Sequence, residues 1–113
     1  MNVVEIADLT DENGKPLPEF EGRAHGSPVS FIMVSTDVDG AGPRLHRHPY
    51  TETFLIRSGQ ALFTVDDRTL IGRGGQIIVV PPDTPHKFAK TGPGRLEMTD
   101  IHASDVFITE WLE

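Results

Sequence analysis

Gly40-Ala-Gly-Pro-Arg-Leu-His46-Arg-His48-Pro49-Tyr-Thr-Glu52-Thr-Phe54-Leu-Ile56-Arg-Ser-Gly59 is the stretch on which the reading of this chain turns. His46 and His48 stand two residues apart, so on a strand both imidazoles point the same way, with Cα atoms roughly 6.5–7 Å apart. That separation lets both rings converge on one ion. Two histidines on a wet strand face would show the same pattern, and the pair alone decides nothing. Glu52 adds to it. Pro49 cannot donate to a sheet ladder, so a bend is expected between the histidines and Glu52. Beyond the bend Glu52, Phe54 and Ile56 share one face, and a face carrying Phe and Ile is the interior one. A carboxylate there must be paired, protonated or bound to a cation.

Outward from this stretch the chain reads as short β-type runs punctuated by 11 glycines and 9 prolines, with no sustained helical period. Some nine strands are predicted, at 3–6, 29–36, 52–57, 60–65, 68–72, 76–80, from 86 onward, at 95–102 and at 106–112, with Leu45-His46-Arg47-His48 following a loop at 37–43. Asp66-Asp67 is the expected hairpin turn between 60–65 and 68–72. Residues 8–28 hold Asn13-Gly14, Lys15-Pro16, Leu17-Pro18 and Gly26-Ser27-Pro28, which predicts an irregular arm. So many strands at near-regular spacing favour a closed or nearly closed barrel, which removes exposed edges. The domain reading is one barrel over 1–113, with strand and arm in 1–28 and the barrel proper in 29–113. Val29, Phe31 and Met33 lie on one face of their strand, with Ile32 and Val34 on the other. The face turned away from the interior needs cover, and a second copy of the chain is the expected source, so a homodimer is expected.

Composition narrows the function. A chain of 113 residues is sized for one domain with a single core. It has no cysteine, which excludes disulfides, thiolate ligands and Cys nucleophiles. The net charge of −7 and the lack of any Lys/Arg cluster argue against nucleic-acid partners. The longest aliphatic run, Ile77-Ile78-Val79-Val80, is too short to cross a bilayer, and no basic-then-apolar leader opens the sequence. A soluble cytoplasmic protein is expected.

A second stretch, Gly75-Gln-Ile-Ile-Val-Val-Pro81-Pro-Asp83-Thr-Pro-His86-Lys-Phe88, supplies another candidate ligand in His86. Taken with the first it has a resemblance. Gly40-x5-His46-x-His48-x3-Glu52-x6-Gly59 reproduces the first signature motif of the cupin superfamily at every spacing, and Gly75-x5-Pro81-x-Asp83-x2-His86 resembles the second. The 15 residues between them, 60–74, are similar to the short intermotif regions of small microbial cupins. Two positions depart from the pattern: Asp83 stands where glycine is usual and Lys90 where asparagine is frequent. The glycine serves a turn of positive φ, which Asp tolerates better than most residues. The resemblance implies an all-β double-stranded β-helix, or jelly-roll, barrel. It also implies that His46, His48, Glu52 and His86 ligate one divalent metal ion.

The chemistry of the donor set agrees. Three imidazoles and a carboxylate suit Fe(II), Mn(II), Ni(II), Cu(II) or Zn(II). On an octahedral ion they would leave about two positions for water, O2 or substrate. The histidines must be neutral to bind, so affinity is expected to fall steeply in mild acid. Phe54, Phe63 and Phe88 read as core with Ile78; the three phenylalanines, with Met98 and Asp100, are also the expected walls of a substrate pocket. His102 shares a face with Leu96, Met98 and Asp100. If that face is interior, His102 is the candidate acid–base residue; if Ile101 points inward instead, His102 meets solvent. His25, in the arm, is either structural or swings to the barrel mouth. Gly72-Arg73-Gly74-Gly75 leads into a strand and not a helix, so it is no phosphate cradle, and Trp111 reads as packing.

Three functions are then open. One is a metal-dependent enzyme on a small organic substrate, of dioxygenase, isomerase or decarboxylase type. Another is a non-enzymatic ligand-binding or sensor barrel, and the third a barrel with a purely structural metal. An ion facing a cavity through exchangeable positions is the feature that separates the first from the third.

Overall fold

The computed structural model describes residues 1–113. Its strands are β1 (Glu19–Phe20), β2 (Ser30–Thr36), β3 (His46–Arg47), β4 (Glu52–Ser58), β5 (Gln60–Val65), β6 (Arg68–Arg73), β7 (Ile77–Val80), β8 (His86–Thr91), β9 (Leu96–His102) and β10 (Glu110–Trp111). All pairings are antiparallel and form two five-stranded sheets, β1-β2-β9-β4-β7 and β10-β3-β8-β5-β6. The chain is the all-β jelly roll that its sequence predicts.

Alternation along each strand decides what faces inward. In β9, Leu96, Met98, Asp100 and His102 are buried while the residues between them are half-exposed. In β4 the inward set is Glu52, Phe54 and Ile56. Both strands therefore run from apolar to polar along one interior face, and their register pairs Glu52 with His102, Phe54 with Asp100 and Ile56 with Met98. The apolar ends build the core, with Phe54, Ile56, Phe63, Leu96 and Met98 almost fully buried. Phe54 of one sheet meets Phe63 of the other edge-on, with centroids 5.1 Å apart. Each such side chain contributes roughly 1.5–3 kcal/mol by leaving water. The polar ends form the site.

Turn chemistry sets the register. Asp66 takes φ 53° in the β5–β6 turn, and Asp83 takes φ 59°, the left-handed conformation expected where the related pattern has glycine. Lys90, the other departure, is buried on β8, with Nζ donating to Asp39 and to the Gly92 carbonyl, each at 2.7 Å.

Three expectations need correction. Residues 3–6 are not a strand: Ile6–Asp8 form a single 3₁₀ turn, and Val3 and Ile6 are exposed with no neighbouring strand to pair with. The predicted strand 106–112 shrinks to Glu110–Trp111. The arm, expected to be irregular, contributes β1, which pairs with β2. Phe20 of β1 stacks on Phe31 at 4.7 Å, and the Met33 N–H donates to the Pro18 carbonyl at 2.7 Å. Part of the outer face of β2, for which the sequence reading sought a second copy, is thus covered by the chain itself. No helix is long and apolar enough to cross a membrane.

Candidate metal centre

β3, β4 and β8 bring four donors to one point. The ligand atoms of His46, His48, Glu52 and His86 all lie within 4.8 Å of one another, and all four residues are buried. The bend at Pro49 lets the chain leave β3, in one sheet, and enter β4, in the other. Two of the histidines, His46 and His86, sit opposite each other in the β3–β8 ladder. His48 follows β3 directly.

The orientation of the rings is fixed by the backbone. Nδ1–H of His46 donates to the Arg44 carbonyl at 2.7 Å, that of His86 to Thr84 at 2.8 Å, and that of His48 to Ile108 at 2.8 Å. A carbonyl can only accept, so each Nδ1 carries a proton, and in the neutral ring each Nε2 keeps a lone pair facing the common point. His48 Nε2 is buried with no hydrogen-bond partner. Backbone carbonyls holding the remote nitrogen are the usual outer partners of metal-ligating histidines. An orphaned buried lone pair, two further imidazoles and a carboxylate converging on it fit a divalent ion, and these four residues could hold one.

Charge follows the same geometry. Burial alone would raise the pKa of Glu52, but the surrounding His102, His48 and His86 hold its carboxyl well below the usual carboxylate range. His86 Nε2 lies 2.9 Å from Glu52 Oε1, and His48 Nε2 lies 3.0 Å from the same oxygen. Burial pulls His46 down, favouring the neutral ring that a metal needs. In His86 burial also pulls down, yet its contacts with Glu52 and the Thr84 carbonyl leave it raised.

His102 faces inward, so the interior alternative holds for its strand. Its Nε2 lies 3.2 Å from Glu52 Oε2, the oxygen that His48 and His86 do not address. Unlike the other three rings it has no carbonyl at Nδ1; it has the Tyr50 hydroxyl at 2.6 Å. The Tyr50 oxygen also accepts the Ile108 N–H at 3.3 Å, and its hydroxyl can donate to or accept from Nδ1 of His102. His102 is therefore outside the four-donor cluster and adjoins its carboxylate.

A cavity of about 360 Å³ opens beside the donors. Phe54, Phe88 and Asp100 line it, as do Ile32, Val34 and Trp111. Phe63 and Met98, expected as pocket walls, lie in the core instead, because their strand positions are deeper than the cavity floor. His25 stays in the arm, stacked on Phe20 at 4.8 Å, and does not line the cavity. Sequence reasoning missed Tyr50, whose partners His102 and Ile108 are more than fifty residues away. It also read Trp111 as packing alone. That ring packs on His46 at 5.2 Å and lines the cavity mouth. No local pattern marks either residue.

Comparison with known proteins follows the geometry. The family model described as "Cupin domain" matches residues 32–102. An uncharacterized protein of Methanocaldococcus jannaschii is 38% identical over 55 residues, 47% of this chain and 43% of that protein. Among solved structures, Bacillus subtilis oxalate decarboxylase, a protein with Mn(II) centres, superposes with a TM-score of 0.73 at 24% identity, covering 83% of this chain and 27% of that one. A conserved Streptococcus pyogenes protein of unknown function superposes with a TM-score of 0.60 at 26% identity, covering 67% of this chain and 64% of that one. The chain thus spans less than half of the archaeal relative and about a quarter of the decarboxylase.

Proposed function

The chain belongs to the cupin domain family, and from that premise we propose that it is a divalent-metal-dependent enzyme acting on a small organic molecule inside the barrel. The observation that carries this reading is the position of the donor cluster: His46, His48, Glu52 and His86 converge at the wall of a cavity of about 360 Å³, and not in a sealed pocket. A metal used only for stability needs no such opening. An ion held there would supply Lewis acidity toward a ligand oxygen.

The remaining work falls to the chain's own residues. Phe54, Phe88, Ile32 and Val34 exclude water and hold the body of the molecule against the ion. Tyr50 links the Ile108 N–H to Nδ1 of His102, whose Nε2 lies 3.2 Å from Glu52 Oε2 with no hydrogen bond formed, and the His102 ring can hold or pass a proton beside the ion. The reaction class is oxygenation, isomerisation or decarboxylation. Likeness to the oxalate decarboxylase at 24% identity supports the fold and not the substrate.

Elemental analysis of protein purified without added metal tests the proposal. About one equivalent of a transition ion is expected, falling to background in His48→Ala. Incubation of the loaded protein with candidate small molecules, followed by O2 electrode and mass spectrometry, is expected to give ion-dependent turnover. Loaded protein that binds such molecules and never converts them would make it a carrier or sensor.

A further inference from the structure

We propose that the cavity selects a compact, apolar-bodied oxygen chelator carrying at most one negative charge, and that Asp100 determines this specificity by donating a hydrogen bond to an oxygen of that ligand. The proposal rests on the metal-site reading above and adds to it the class of molecule that the site accepts.

Three observations lead there. The first is Asp100 itself. It sits mid-strand in β9 between Ile32 of β2 and Phe54 of β4, is only 3% exposed, and lines the cavity. Neither of its carboxyl oxygens makes a hydrogen bond within the chain: Oδ1 is sealed off, and Oδ2 is the one left accessible on the cavity side. Burying a carboxyl without a partner is costly, and a fold keeps such a group where something outside the protein completes it. Burial in an apolar wall holds this carboxyl above the usual carboxylate range, which favours the acid form with a hydrogen to donate.

The second is the charge of the walls. Neither lysine nor arginine lines the cavity; its acidic residues are Glu19, Glu52 and Asp100. The one buried lysine, Lys90, is committed to Asp39 and the Gly92 carbonyl. A doubly charged ion held by neutral imidazoles and the Glu52 carboxylate leaves one net positive charge. A monoanion cancels it. A dianion would leave an uncompensated negative charge in an apolar cavity, which is strongly unfavourable.

The third is shape. Beyond the ion much of the wall is apolar, formed by Ile32, Val34, Phe54, Phe88, Pro43 and Trp111, which fit a hydrocarbon or ring body and offer a second carboxylate no cationic partner.

The test uses Co(II)-loaded protein and two bidentate oxygen chelators, maltol and oxalate, followed through the visible Co(II) spectrum. Co(II) is first titrated alone. Each chelator's affinity for the loaded protein is then divided by its affinity for aqueous Co(II). Maltol is expected to be favoured over oxalate by at least tenfold on that scale. Asp100→Asn, which keeps an N–H donor, is expected to hold maltol binding within about threefold. Asp100→Leu is expected to lose at least tenfold while binding Co(II) as tightly as the wild type. A thermal melt separates binding from folding: Asp100→Leu is expected to melt above the wild-type apo-protein, because it removes an unpartnered acid. Equal or better relative binding of oxalate, or undiminished maltol binding by Asp100→Leu, overturns the proposal and leaves the metal site standing. Failure of the wild type to bind Co(II) at all overturns both.

Discussion

Each of the three imidazoles in the donor cluster is aimed by a main-chain carbonyl, and main-chain partners cannot be lost by substitution. Side-chain support is strongest at His102, whose Nδ1 has the Tyr50 hydroxyl at 2.6 Å and no carbonyl; the Tyr50 and Thr109 hydroxyls stand farther from His48 Nδ1, at 3.4 Å. Tyr50→Phe removes that partner and also leaves the Ile108 N–H without its acceptor. A loss of roughly 1–3 kcal/mol in urea unfolding is expected, the cost of leaving such groups unpaired. Asp100 and Glu52 act on stability with opposite signs in pH. The carboxyl of Asp100 is raised in the folded state, so above the unfolded value near 4 the unfolded chain releases a proton that the folded chain keeps. Stability from this group therefore falls as pH rises from about 4, at a slope of at most ~1.4 kcal/mol per unit. Glu52 is depressed, so its contribution is present above its unfolded value near 4.3 and disappears as pH falls below it. Replacing Asp100 with Leu is expected to flatten the fall between pH 4 and 7 in apo-protein unfolding curves. The four donors were legible in the sequence because their spacing is local to two stretches. Tyr50 and Trp111 were not, since each acquires its role from a partner on a strand distant in the chain.

Among the elements, the strands with clean alternation were the ones whose residues could be read. β4 and β9 show why: one interior face passes from core to site, so a single pattern encodes both. The arm defeated the reading because a two-residue strand has no period to detect, and the run at 3–6 has apolar residues without a ladder to join. Loop 37–45, which delivers His46, is held to β8 from both sides: the Gly40 N–H donates to the Lys90 carbonyl and the Lys90 N–H to Ala41, each at 2.8 Å. Within it Gly42 has no room for a side chain, since a Cβ there would fall on the carbonyl oxygen of Phe88. Backbone cannot yield as a flexible side chain can. Gly42→Ala is expected to cost roughly 1–3 kcal/mol of unfolding free energy and, by shifting the loop, to weaken metal uptake more than Gly40→Ala does.

For the molecule as a whole, the donor cluster couples metal to stability. The four donors meet only when two sheets are assembled, so an ion that binds the folded chain adds by mass action about 4 kcal/mol of stability at a thousandfold excess over the dissociation constant, and raises the melting temperature accordingly. EDTA is expected to remove that increment, and His48→Ala to abolish it. Because the imidazoles bind only as neutral rings, the increment is expected to shrink steeply below about pH 6 and to be gone at pH 4, read by melts at fixed metal concentration. The same assembly has one thin wall. Trp111, which lines the cavity and packs on His46, belongs to a two-residue strand paired with β3, whose side-chain attachments include the exposed Arg47–Glu110 pair at 2.8 Å and Arg44 over the indole at 4.8 Å, with the Leu112 N–H donating to the Leu45 carbonyl just beyond it. Exposed pairs of this kind add about 0–1 kcal/mol each, and segments with so few buried contacts open long before the rest of a fold does. Undocking of residues 107–111 would also release the Ile108 carbonyl from the His48 ring, so loosening this segment, for example by Glu110→Ala, is expected both to shorten the residence of a bound ion and to weaken its hold.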